Sequence, residues 1–225
     1  MPTQINAENR VLILPQPGDG CEVPNSPLYN IYNLRSAYVT EHKIHDLLKQ
    51  TIISGSYTTI LHLNCRSLGK NYDSIQNLID LIDYQLTAIC VTETWVSANA
   101  ATIYNFPNYT FFSNPRTLKS GGGVGIFVHD EANSFLRQDL CLMLPHIETI
   151  FIEVVYANAQ NILVGCIYRP PNSDSTLFNN EMGLLLYNIK NKPNKSIFIA
   201  GDFNLDLIGY EDHPDTELFL NSMLA

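Results

Sequence analysis

Positive charge is scarce in this chain of 225 residues. Thirteen Lys and Arg stand against 22 Asp and Glu, a formal net charge of −9. Binding to nucleic acid by bulk charge is therefore excluded, and action on a phosphate polymer needs another device to handle the phosphate. Long apolar runs are missing too. None approaches the roughly 18 residues of a membrane span, and the first residues lack the basic flank and apolar stretch of a secretion signal. The five cysteines, Cys21, Cys65, Cys90, Cys141 and Cys166, are odd in number and far apart. No close pair forms a zinc half-site. A reduced, intracellular chain is expected, with Cys90 and Cys166 buried in apolar strands. GxSxG is absent, and the glycine run at Gly121 lacks the Lys-Ser/Thr of a phosphate-cradling P-loop. Neither a serine hydrolase nor that type of nucleotide site is indicated.

The rest is ordinary globular sequence, with 45% hydrophobic and 16% charged residues, which excludes a disordered chain. Residues 1–57 form a segment apart: rich in Pro, Gly and Asn to about Asn33, then Ile44, Leu47, Leu48 and Ile52 at helical spacing. They are expected to be a flexible leader carrying a short amphipathic helix. From residue 58 the pattern changes. TTILHLN predicts a strand, and Ile75, Leu78, Ile79, Ile82 and Leu86 one apolar stripe on a helix capped by Asp73. TAICVTET predicts a second strand, buried on both faces, which completes a βαβ unit with parallel pairing. TFFSN and GVGIFVH flank the glycine run as one hairpin, and IETIFIEVVYA with NILVGCIYR makes another. Phe178, Met182, Leu185, Leu186 and Ile189 mark a helix, SIFIAGDFN a strand, and Pro214 to Leu224 a last helix. Mixed pairing with covering helices predicts an α/β sandwich of two sheets.

Three strands close on polar residues: Asn64, Glu93, and Asp202 with Asn204. On an extended chain the last two share a face and point into one pocket. Singly, each reads more readily as a turn former, a cap or a solvated side chain. Together they are an oxygen-rich set without thiol or imidazole, suited to a hard divalent ion, Mg²⁺ or Mn²⁺. Such an ion would offset charge at a phosphodiester while Asp202 deprotonates a water and Asn204 donates to a non-bridging oxygen. Arg66, Lys70, Arg116 and Lys119 are candidates for touching a DNA backbone, although isolated basic residues on loops are mostly just solvated.

HLNCRSL with Asn64, TETW with Glu93, GGGVGIFV from Gly121, IYRPPN from Ile167 and GDFN from Gly201 occur in the order used by the endonuclease/exonuclease/phosphatase superfamily. The chain resembles that superfamily, with its deoxyribonuclease-I-like fold, over about Thr58 to Asn204. LNCRSL, TETW, GGGV and YRPPN are most similar to the endonuclease domain of non-LTR, jockey-like retrotransposon polyproteins. The resemblance implies a Mg²⁺-dependent (or Mn²⁺-dependent) DNA-nicking hydrolase. Glu93 would be the metal ligand, with Asn64 on the metal side, and Tyr168 would support the phosphate. Asp202 would activate water and Asn204 would partner it. The nick would expose a 3′-hydroxyl for reverse transcription, with DNA and a reverse transcriptase domain of the polyprotein as partners and the nucleus as location.

One departure stands out. The superfamily's Ser-Asp-His motif is absent, and none of His42, His45, His62, His129, His146 and His213 stands in that context. His213, in Asp212-His213-Pro214, follows GDFN too soon and reads as a loop before a helix. Losing one member of a cooperating set costs orders of magnitude in rate. Residues 58–225 are thus expected to be a C-terminally incomplete domain of impaired activity. The alternatives are a catalytically dead remnant and a phosphatase-branch enzyme acting on small phosphoesters.

Overall fold

A computed structural model describes residues 10–12, 36–38, 43–46, 48, 58–98, 103–117, 121–157, 160–190, 195–207 and 212–224. Most of the segment expected to be a leader lies outside these residues. Within it, β1 (Arg10–Leu12) pairs antiparallel with β2 (Ser36–Tyr38). Residues 43–46 and 48 are helical, Ile44 and Leu48 are buried in the main core, and His45 Nδ1 lies 2.8 Å from the Ile82 carbonyl. Leu47 and Ile52, also expected on that helix, lie outside the described residues.

The first large sheet runs β3 (Ile60–Asn64), β4 (Ala88–Thr92), β6 (Val124–His129), β5 (Tyr109–Asn114). β3 and β4 are parallel and joined by α1 (Leu68–Ile82), as a βαβ unit requires. β5 and β6 form the hairpin predicted around the glycine run. Gly121, Gly122 and Gly123 all have positive φ, which is why this turn is built of glycine.

The second sheet runs β11 (Lys195–Asp202), β10 (Asn161–Tyr168), β9 (Ile147–Val155), β7 (Asn133–Leu136), with β8 (Met143–Leu144) also on β9. β9 and β10 are the predicted antiparallel hairpin, and β11 returns parallel to β10 after α2 (Ser175–Lys190). Gly201 is forced by that return: a Cβ there would strike the Ile167 carbonyl of β10. β7 and β8 were not predicted; at four and two residues they are too short for alternation to register.

Three apolar layers hold the stack. α1 covers the first sheet through Leu68, Ile75 and Ile82 against Ile89, Val91 and Phe127. Ile126, Ile150, Ile152, Val164 and Cys166 fill the space between the sheets. α2 and α3 (Pro214–Leu224) cover the second sheet with Phe178, Met182, Leu185 and Phe219. β4 is buried at every position, as its unbroken apolar run predicts. The predicted two-sheet α/β sandwich is the fold observed.

Two local expectations need correction. α1 begins five residues before Asp73: Ser67 is its cap, accepting from the Lys70 N–H at 3.4 Å. Backbone bonds from Ser67 N to Glu93 O and from Leu68 N to Thr94 O fix that start to the neighbouring strand end. The stripe also overran the helix, which closes at Asp83 in a left-handed turn, so Leu86 packs from the following loop.

Candidate active site

The strand register gathers the chemistry at one end of the sandwich. Glu148 of β9 pairs with Tyr168 of β10, and Tyr168 pairs with Asp202 of β11. Paired residues share a face, and Tyr168 packs in the layer between the sheets, so this row looks across at the other sheet. There Asn64 ends β3 beside Thr92, and Glu93 follows directly. Asn64 joins the two sheets: its Nδ2 donates to Glu93 Oε1 at 2.8 Å and to Asp202 Oδ2 at 2.7 Å. Glu93, Asn64 and Asp202 are thus brought together from residues 138 positions apart at the extremes. Glu93 adopts φ 53, a left-handed turn, and lies half-buried rather than freely solvated.

Asn204 reaches the site differently from the extended geometry expected of it. β11 ends at Asp202, and Asn204 has φ 48. Its N–H returns to Asp202 Oδ1 at 3.1 Å, a local turn in which the aspartate holds its own backbone. Its Nδ2 donates to the Arg169 carbonyl at 2.7 Å, leaving one amide hydrogen for another acceptor. Arg169, which sequence reasoning did not single out, clamps this corner. Its guanidinium donates to Asn204 O at 2.9 Å and Ser173 O at 2.7 Å, tying IYRPPN to GDFN. Its position directly after Tyr168 was the available signal.

Charge in the site is unevenly matched. Among the described residues neither Glu93 nor Asp202 has a cationic partner. His62 lies on the same face of β3 as Asn64, within reach of the charge of Asp202, with Nε2 3.3 Å from Thr92 Oγ1. Burial lowers its pKa to about 4 against the pull of Asp202, so it is a neutral imidazole at pH 7. Tyr168 is raised, first by burial and then by Glu93, Asp202 and Glu148, so its hydroxyl keeps its proton and can donate. Glu148, by contrast, is paired with Arg116, whose Nε donates at 2.5 Å, and accepts the Gly123 N–H at 2.6 Å. Its importance is invisible in sequence and comes only from its register with Tyr168.

Among the described residues no cluster of three or more His, Cys, Asp or Glu side chains forms a metal cage. Two carboxylates and an amide, oxygen donors with no cation to neutralise them, nonetheless fit a hard divalent ion that keeps part of its water shell. The buried Thr94 Oγ1, next to Glu93 in the chain, has no hydrogen-bond partner. His213 takes no part; its carbonyl receives the Thr216 and Glu217 N–H groups at the start of α3.

A two-sheet α/β sandwich with flanking helices and converging polar strand ends defines a class of fold. Residues 61–221 match the endonuclease/exonuclease/phosphatase family, and the chain belongs to it. Among solved structures it is similar to the AP endonuclease LMAP from Leishmania major, with TM-score 0.58, 15% identity, 74% of this chain and 66% of that one covered. The catalytic domain of Xenopus laevis APE2 gives TM-score 0.52 at 14% identity, covering 73% and 67%. D. rerio TDP2 complexed with a single-strand DNA product gives 0.50 at 17%, covering 66% and 61%. The matched part thus spans about two thirds of each of these proteins, and at such identities the likeness concerns the fold. A comparison with curated protein sequences finds no match. Among the described residues no helix is long and apolar enough to cross a membrane.

Proposed function

We propose that this chain is a divalent-cation-dependent phosphodiesterase acting on DNA, the nicking domain of a non-LTR retrotransposon polyprotein. The observation that carries the reading is the Asn64 amide held between Glu93 and Asp202, two carboxylates without a cation of their own. Glu93 with Asn64 would hold Mg²⁺ or Mn²⁺, which when bound supplies positive charge to the phosphate oxygens. Asp202 accepts the proton of the attacking water. The P–O3′ bond breaks and the departing oxygen takes a proton, leaving a 3′-hydroxyl. Tyr168 Oη and the second amide hydrogen of Asn204 donate to phosphate oxygens. That one fold relative is named an AP endonuclease, and another is complexed with a single-strand DNA product, supports DNA as substrate. LNCRSL, TETW, GGGV and YRPPN support the retrotransposon assignment, with a reverse transcriptase domain as partner and the nucleus as the working compartment.

Turnover is expected to be slow. The sequence contains no Ser-Asp-His, and His62, which feels the charge of Asp202, is a half-buried, neutral imidazole at pH 7. This favours, as a second reading, a remnant that binds DNA without cutting it. Nicking of supercoiled plasmid in Mg²⁺ tests both. Slow nicking that falls at least a hundredfold in Asp202→Ala supports the hydrolase; binding with no nicking supports the remnant. Hydrolysis of inositol phosphates with none of DNA would place the chain in the phosphatase branch instead.

A further inference from the structure

Two residues beyond Glu93 stands Trp95, the single tryptophan of the chain. Its neighbours Thr94 and Val96 are buried, yet Trp95 is 52% exposed. Its φ is 53, a left-handed conformation that bulky side chains avoid. The backbone is pinned there: Thr94 N donates to Gly123 O at 3.1 Å and Trp95 N to Gly122 O at 2.9 Å. The indole edge lies along Gly121, where a Cβ would stand 3.6 Å from Nε1, and the Arg116 guanidinium lies over the adjacent Gly122. Thus an aromatic ring is held out into solvent, next to the metal-side carboxylate, beside a cation and a turn without side chains. Burial does not account for a large aromatic side chain at such a backbone angle.

We propose that Trp95 is the nucleotide-stacking residue of this site, taking the face of a nucleobase that flanks the scissile phosphodiester. A base in an intact duplex has no free face, so the substrate recognised is DNA with an unstacked nucleotide there, single-stranded or locally opened. This rests on the proposed action on DNA and adds the specificity-determining contact to it. Trp95 touches the base rather than the reacting atoms, so its loss weakens DNA binding and leaves the chemistry alone.

Because Trp95 is the single tryptophan, its emission reads this ring alone. The full chain carrying Asp202→Ala, which leaves the strand uncut, is titrated in Mg²⁺ with a single-stranded oligodeoxynucleotide, followed by tryptophan emission and by anisotropy of an end label. The expected result is quenching that saturates together with the anisotropy, and tighter binding of the single strand than of its duplex. Adding Trp95→Ala should weaken binding roughly ten- to a hundredfold, the effect of deleting one stacking aromatic. Trp95→Phe should stay within about threefold, since its ring still stacks. With Asp202 intact, hydrolysis of the small phosphodiester bis(4-nitrophenyl) phosphate reads the chemistry without a nucleic-acid strand. DNA binding with unaltered emission and unaltered affinity in Trp95→Ala overturns the proposal and leaves the DNA reading standing. Hydrolysis of the small phosphodiester without binding of either DNA overturns both.

Discussion

Two pairs of carboxylates in this protein are handled in opposite ways. β9 carries Glu148 and Glu153, both buried, and each meets an arginine: Arg116 on Glu148, and Arg137, shared with Asp139, on Glu153 at 2.9 Å with Asn161 also donating at 2.9 Å. At the strand ends Glu93 and Asp202 converge on one neutral amide, and among the described residues no cation answers them. His62 stands near enough to feel Asp202, but burial keeps its ring neutral. Where charge serves the fold, the chain supplies the counter-ion. At these strand ends the balance is left open among the described residues, and the proposed function would have a divalent cation supply it. Glu93, Trp95 and Asn204 have left-handed backbone at these strand ends, and Asp83, Asn108 and Asn172 have it in turns elsewhere.

The comparison can be broken most forcibly at its neutralised half. Arg116→Ala leaves Glu148 buried beside no cation and should cost about 3–5 kcal/mol of stability. In a domain of this size that is roughly a 6–20 °C fall in melting temperature, measured by thermal unfolding. Indifference to this change would mean that Arg116 serves the site and not the fold.

A smaller effect concerns pH. Burial pushes the Glu148 carboxyl above its ordinary range and outweighs the downward pull of Gly123 N–H and Arg116. A raised folded-state pKa means that the native state holds the proton more tightly than the unfolded one. The stability linked to it is therefore present below the ordinary carboxylate value and lost as pH rises through the raised one. Melting across pH 4 to 8 should show wild type losing ground to Glu148→Gln as pH rises; a constant difference would contradict this.

The smallest effect belongs to the unneutralised half. Glu93→Gln keeps an oxygen acceptor for Asn64 but removes one of two like charges. Without divalent ions it should be as stable as wild type or more so, by about 0.5–1 kcal/mol. Clear destabilisation would show that Glu93 is a structural carboxylate after all.

Much of this was legible in the sequence because periodicity and strand-end chemistry are local signals. Two hairpins, the βαβ unit and the unbroken apolar β4 follow from spacing alone, and Asn64, Glu93 and Asp202 were readable as polar residues closing apolar runs. What was hidden depends on register. Glu148 looks like any polar residue at a strand start until Tyr168 is placed opposite it. Arg169 looks like a loop residue until its guanidinium is seen joining two turns. The cap of α1 was misplaced because Ser67 is set by bonds to the neighbouring strand end, which no local pattern encodes. Asn204 was assigned an extended geometry because period-two reasoning does not see where a strand stops.

The central claim is that Glu93 and Asp202 await a divalent cation. It is tested most directly by thermal unfolding of wild type, Glu93→Gln and Asp202→Asn with and without Mg²⁺ or Mn²⁺. At an ion concentration ten times the dissociation constant, wild type should gain about 1.4 kcal/mol, a rise of roughly 3–6 °C, and Glu93→Gln should gain little or nothing. An equal rise in all three proteins, or none in wild type, would contradict the account.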